Sequence, residues 1–386
     1  MGKDDFVGNQ AENWFLQGEE KFTSGDFEGA IFCYDKVIEI ESNYQLAWRQ
    51  RGYALYKLER DKEALVSLGK AIEINNNDYL VWYWRGLVLN VLERYEEAIF
   101  SFNKAIEINN NDFYVWTNRG FSLYSLGRYE EAIFSFEKAT ELNPSDEYSW
   151  QNCGFSLHNL GRYEKALASY NKAIELNPNN EYSWQNKGFC LNNLGRYEEA
   201  IFSFDKSINI NANDHKVWES RGFSLNKLGR YEAAILSYEK AIELNPSDEY
   251  SWQNRGFCLN SLGRYEEALA SFEPALKIKP DEYLTWYNQG LALHNLGRYE
   301  EALVSYNQAI EINPHDYYLV WQNRGLLLNH LRRYEEALVS FEESLKIKPD
   351  EYLTLQNKGI VLLELEQLQE AIASFQEAEK IRQDLL

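Results

Sequence analysis

The 386-residue chain has only four cysteines, Cys33, Cys153, Cys190 and Cys258, far apart and never in a CxxC pair. That spacing indicates neither a zinc ligand set nor a disulfide framework, and it fits a reducing cytoplasm. No apolar run approaches the roughly 18 residues needed to cross a membrane, and the start MGKDDFVGNQ carries no apolar segment of signal-peptide length. Phe6 stands where a myristoylated terminus carries Ser or Thr. The expectation is a soluble, cytoplasmic chain without membrane insertion. Basic residues are also in deficit: 39 Lys and Arg face 60 Asp and Glu, a formal charge of -21 that disfavours a grip on nucleic acid phosphates. There is no glycine-rich phosphate loop, nucleophile elbow or HExxH. His158, His294 and His330 come from distant parts of the chain, and His215 and His315 fall in loops, so no metal geometry follows. The sequence therefore predicts no enzyme, no cofactor and no metal site.

What is abundant is aromatic side chains, 15% of the chain with 11 Trp and 27 Tyr. Ten tryptophans, Trp14, Trp48, Trp82, Trp116, Trp150, Trp184, Trp218, Trp252, Trp286 and Trp321, follow one another at 34 residues, with one step of 35 at the end. A glycine comes four residues after each, from Gly18 to Gly325, and again at Gly359 in a last repeat where Leu355 replaces Trp. An alanine follows twelve residues later, from Ala30 to Ala371. Such a period announces a solenoid. Counted from three residues before each Trp, eleven repeats begin near 11, 45, 79, 113, 147, 181, 215, 249, 283, 318 and 352. Residues 1–10 read as an N-terminal extension and 11–386 as one solenoid.

Each repeat reads as two antiparallel helices. In the fifth, a first helix carries Tyr148, Trp150, Phe155, Leu157 and Leu160 and stops at Gly161, suited to a left-handed C-cap. The second sets Tyr163, Ala166, Leu167, Tyr170, Ala173 and Ile174 on one stripe, begun by Glu164 and ended at Asn177-Pro178. Gly154, Ala166 and Ala173 let the helices approach while Trp150 and Tyr170 fill the remaining volume. One hairpin cannot bury both of its apolar sides, so neighbours must stack.

The segment WQNCGFSLHNLGRYEKALASYNKAIELNP resembles a tetratricopeptide repeat, whose frame is Trp, Leu-Gly, Tyr, Ala, Phe and Pro over 34 residues. The resemblance covers residues 11–386 and implies an all-α solenoid, a right-handed superhelix of antiparallel helix pairs. Two departures stand out. Position seven is Arg or Lys in eight repeats (Arg51, Arg85, Arg119, Lys187, Arg221, Arg255, Arg324, Lys358), where the family usually has Leu. The closing proline is present in six repeats only. Pro274 falls inside a second helix, where it removes a backbone hydrogen bond, and the 35-residue step adds a residue around His315-Asp316-Tyr317. A bend in the superhelix or local absorption of each irregularity are both open. The chain closes on KIRQDLL without an extra polar helix, so either the last face binds something, self-association through the C-terminal end included, or the chain is part of a longer polypeptide.

At 100° per residue, positions two, five, six, nine, twelve and thirteen of the first helix point away from its partner, and in the family that side lines a concave groove. Position six is Asn118, Asn152, Asn186, Asn254, Asn288, Asn323 and Asn357, with Gln151, Gln185 and Gln253 beside it. A carboxamide both donates and accepts, so a ladder at repeat spacing can hold the backbone of an extended peptide; asparagine ladders with this use are known in the family. Tyr114, Tyr148, Tyr182 and Tyr250 at position two add aromatic faces with a polar tip. Phe121, Phe155, Phe189, Phe223 and Phe257 at position nine either pack between neighbouring first helices or receive a ligand. The Lys and Asn of the family's carboxylate clamp occur at their positions in no repeat. The position-seven cations read as structural ion pairs near the seams. The reading is a non-enzymatic scaffold that binds an extended or helical segment of a protein or peptide partner in its groove. A glycan-binding scaffold and a self-assembling structural scaffold are the alternatives.

Overall fold

The computed structural model describes residues 3–384 except Asp316, which belongs to the inserted step and lies outside the described residues. Among the described residues there are twenty-two α-helices and no strand. The first helix already begins at Lys3, so the segment read as an extension runs as helix into the first repeat. The chain divides into two compact units, Met1–Gly195 and Arg196–Leu386, parted in the turn of the sixth repeat.

Within each unit the repeat is built by the same few contacts. In repeat five the helices are Glu147–Asn159 and Tyr163–Leu176. Of the predicted stripe, Ala166, Leu167, Tyr170, Ala173 and Ile174 are buried and Tyr163 is half-buried. Tyr170 lies flat against Gly154: a Cβ built on that glycine would stand 2.7 Å from the ring. The same pairing recurs as Gly18 with Tyr34, Gly120 with Phe136, Gly222 with Tyr238 and Gly290 with Tyr306. Only a residue without a side chain admits the aromatic there.

The tryptophan does a second job. Trp150 Nε1 donates to the carbonyl of Pro144, 3.0 Å away in the preceding loop, and Trp48, Trp116, Trp218 and Trp286 do the same to Ser42, Asn110, Ala212 and Pro280. The indole thus satisfies a loop carbonyl that the end of the preceding helix leaves without a partner.

The position-seven cations lie in the seams, as ion-pair and hydrogen-bond bridges. Arg51 donates to Asp35 of the preceding repeat at 2.6 Å and to Ser67 of its own second helix at 2.6 Å. Arg221 does so to Asp205 and Ser237, and Arg255 to Glu239 and Ser271.

The turn between the helices holds its fifteenth residue in the left-handed region in all eleven repeats: seven are glycines, and Glu59, Glu93, Arg332 and Glu366 occupy the rest at φ of 57 to 62°. The helix through Pro274 (Tyr265–Ile278) is continuous and keeps the 14-residue length of its counterparts. The inserted step is taken up by the loop between Ile312 and Tyr318. The last helix, Leu368–Asp384, is longer than the other second helices, at 17 residues.

Two stability predictions follow from these contacts. Gly154→Ala gains about 1 kcal/mol of helix propensity but drives a methyl into the fully buried Tyr170 ring, an overpacking that costs about 1–3 kcal/mol. A net loss is expected, read as a lower denaturant midpoint; an unchanged or higher midpoint refutes the close-approach account. Glu93→Gly removes the left-handed penalty and should raise the midpoint, by about 1 kcal/mol.

Candidate functional site

The face of each first helix that is turned away from its second helix is set by these contacts. With the glycine against the aromatic and the tryptophan on the loop, positions two, six, nine and thirteen form one stripe. In the N-terminal unit Tyr114, Tyr148 and Tyr182 project from it, about half exposed. Tyr250, in the C-terminal unit, is half-buried.

All seven position-six asparagines make one contact of the same kind. Asn118, Asn152 and Asn186 donate through Nδ2 to the carbonyls of Tyr114, Tyr148 and Tyr182, four residues back, at 2.7–2.8 Å. In the C-terminal unit Asn254, Asn288, Asn323 and Asn357 donate to Tyr250, Leu284, Leu319 and Leu353. The reverse orientation would set two carbonyl oxygens together, so the bond fixes which end of the amide faces the helix. One N–H is spent in this way, and Oδ1 is turned the other way; Asn323 Nδ2 also donates to the Tyr287 hydroxyl at 3.0 Å. Position thirteen repeats the arrangement: Asn159, Asn193 and Asn295 donate to Phe155, Phe189 and Leu291. This second column was absent from the sequence reading, although its i−4 spacing is the same signal.

Other residues of the predicted site are placed differently. Gln151 is buried at the seam with the next repeat, where Asn180 Nδ2 donates to its Oε1 at 3.4 Å. Position five belongs to the seam elsewhere too: Arg49 donates to Asp78 at 2.8 Å, and Thr117 shares a 2.7 Å hydrogen bond with Ser149. The reason is that helices of adjacent repeats pack side by side, and position five points along the array rather than out of it. Gln185 and Gln253 are half-buried. Among the phenylalanines, Phe121 meets Tyr95 edge-on at 6.4 Å and Phe223 meets Tyr197 at 6.2 Å, each in the preceding repeat, while Phe257 is exposed.

The histidines also differ from expectation. His294 and His330 are in adjacent repeats and bracket one ring, Tyr299, at 5.8 and 4.6 Å. His158 Nδ1 lies 3.2 Å from Sγ of Cys190, a buried thiol pushed up to about 12 by desolvation. No group of three or more His, Cys, Asp or Glu able to hold a metal occurs among the described residues. One acidic cluster breaks the neutral face in the C-terminal unit. Lys216 Nζ is 2.6 Å from Glu219 and 3.8 Å from the buried Asp248. Burial raises the Glu219 carboxyl above its ordinary value, Asp248 adds to the rise, and Lys216 opposes it. The sequence signal was the break in register, Glu219-Ser220 where repeats five, six and eight carry Gln-Asn.

Burial holds His158 and His294 below the ordinary imidazole value, and His330 lowers His294 further. The unfolded chain therefore takes up protons first as pH falls below about 6.5. This contribution to stability is complete above that pH and is lost as pH drops through the depressed folded values. Denaturant midpoints should decline between pH 7.5 and 5, and His158→Gln with His294→Gln should flatten that decline. An unaltered slope would place the effect in the carboxylates.

No helix among the described residues is long and apolar enough to cross a membrane. Models of the tetratricopeptide repeat match residues 11–44, 79–112, 113–146, 148–180, 169–202, 215–248, 237–270, 283–316, 318–351 and 353–385, and a TPR repeat model matches 258–297. No curated protein matches the chain. Among solved structures, YrrB, described as a TPR protein with an unusual peptide-binding site, is 28% identical over 51% of this chain and 97% of its own, with a TM-score of 0.45. MamA is 24% identical over 44% of this chain and 92% of its own, TM-score 0.42. Cut9 with Hcn1, an APC/C hetero-tetramer, is 14% identical over 99% and 94%, TM-score 0.47. With repeat matches spread over most of its length and helices paired in tandem, the chain belongs to the tetratricopeptide repeat family.

Proposed function

We propose that this protein is a non-enzymatic scaffold that holds an extended segment of a partner protein along the first-helix face. The observation that carries the reading is the pinned asparagine ladder. Asn118, Asn152 and Asn186 repeat one orientation at one spacing, each with an acceptor oxygen turned from its own helix, with Asn118 and Asn186 half-buried and Asn152 buried. An extended peptide offers backbone N–H and C=O groups whatever its side chains are, so the ladder suits a segment chosen by its backbone. Because the amides are already held by their i−4 bonds, little rotamer freedom remains to be lost on binding. Tyr114, Tyr148 and Tyr182 stand one turn away and supply flat, half-exposed faces for side chains of the segment. The cytoplasm is the compartment that this use and the free cysteines fit.

The test is a peptide array of unrelated sequences probed with the wild type and with Asn118→Ala/Asn152→Ala/Asn186→Ala. The triple variant should lose at least about tenfold in affinity for the peptides captured by the wild type, each amide contributing about 1 kcal/mol, with helicity by circular dichroism unchanged. Equal capture by both proteins removes the ladder from the account.

A further inference from the structure

The opposite surface of the N-terminal unit carries a feature unrelated to the asparagine ladder. Phe32, Phe100 and Phe134 occupy position 22 of repeats one, three and four, on the second helices, and are 54%, 52% and 51% exposed; Val66 holds the place in repeat two. Large aromatic side chains thus recur at one place on these second helices, each about half in water. Each ring is held upright by the repeat's tryptophan, edge-on at 6.1 Å for Trp14 with Phe32, 6.0 Å for Trp82 with Phe100 and 5.9 Å for Trp116 with Phe134.

The charges around these rings have a definite order. Four residues before each phenylalanine is a glutamate, Glu28, Glu96 or Glu130, and four residues after it a lysine, Lys36, Lys104 or Lys138. All six lie on the same helical stripe as the ring. The lysines lean over the phenylalanines at 5.7, 5.9 and 6.0 Å. Repeat two, with Lys62 and Lys70 around Val66, is the exception.

We infer that this second-helix face of the N-terminal unit is the interface of a two-fold symmetric dimer with a second copy of the chain. Two observations select that occupant. Knobs that recur at the spacing of the repeat are matched by a surface with the same period, and this chain supplies one. The order Glu, ring, Lys is complementary to itself when reversed: with rings opposed and helices antiparallel, the lysine four residues after one ring meets the glutamate four residues before the other. A two-fold axis produces that reversal, because both copies then use one patch in opposite senses. A parallel approach would set lysine on lysine. Arg60 and Arg162 of the following repeats already reach Glu28 and Glu130, at 3.3 and 3.0 Å, so the partner's lysines complete a shared cluster there.

The full chain tests this by sedimentation equilibrium over about 1–100 µM, the span in which modest interfaces are populated. The wild type should approach twice the 45.3 kDa of one chain. Phe100→Glu/Phe134→Glu, on exposed positions that leave the fold intact, should sediment as a single chain, with the dissociation constant raised at least about tenfold. Lys104→Glu/Lys138→Glu should weaken the dimer in the same way, and adding Glu96→Lys/Glu130→Lys should restore it, because the reversed order is again complementary to itself. A wild type that stays at 45.3 kDa throughout overturns the inference, as does a dimer indifferent to both pairs of substitutions or a charge exchange without rescue.

Discussion

The close approach of an aromatic ring to a glycine governs the rest. Where Tyr170 meets Gly154 or Phe136 meets Gly120 there is no room for a methyl group. That contact fixes how near the two helices of a repeat come and which way each is rotated about its axis. Rotation is the functional variable. Once position eight faces the second helix, positions two and six are turned away from it, and a side chain written once in the repeat becomes a column along the array; position nine is intermediate, with Phe155 edge-on to Tyr170 of its own second helix at 5.9 Å. A looser packing would leave each helix free to roll, and the columns would dissolve into unrelated residues.

The same constraint sorts the charge. The formal charge of -21 is not spread evenly over the repeat. Glutamates gather at the starts of the second helices, where they complement the helix dipole, and Arg128 and Arg298 pair with Glu131 and Glu301 three residues on. The position-seven arginines are spent in the seams. What remains on the first-helix stripe is mostly neutral: tyrosine, asparagine and phenylalanine, with Lys216, 3.8 Å from Asp248, as a local departure. The acidic balance of the whole chain therefore says little about the stripe itself.

Much of this was legible in the sequence because it is periodic. Trp150, Gly154, Ala166 and Tyr170 announced the hairpin and its core, and Arg51 and its counterparts were correctly read as seam residues. What a helical wheel does not contain is the neighbouring repeat. Gln151 lies on the outward side of its own helix and is nevertheless buried by the next one. His294 and His330 look remote in the sequence and meet around Tyr299 because adjacent repeats stack. The tryptophan's bond to the preceding loop was equally invisible, since its partner is a carbonyl, which every residue has. The exposed rings at position 22 were passed over for a different reason: a phenylalanine one place along from a core stripe reads as core until the helix is placed.

Asparagine is the residue whose chemistry fits position six. Aspartate at this place could not donate to the carbonyl four residues back and would set its charge against that oxygen. Glutamine has one more rotatable bond, so the same contact would hold its amide less firmly. Serine makes the backward bond, as Ser156 does to Asn152, but its single hydroxyl hydrogen is then used up. Asparagine alone among them satisfies its own helix and keeps both a donor and an acceptor on a short, immobilised group. That choice recurs in seven repeats with the same bond each time, which is the constancy the proposed reading asks of a face that meets a peptide backbone.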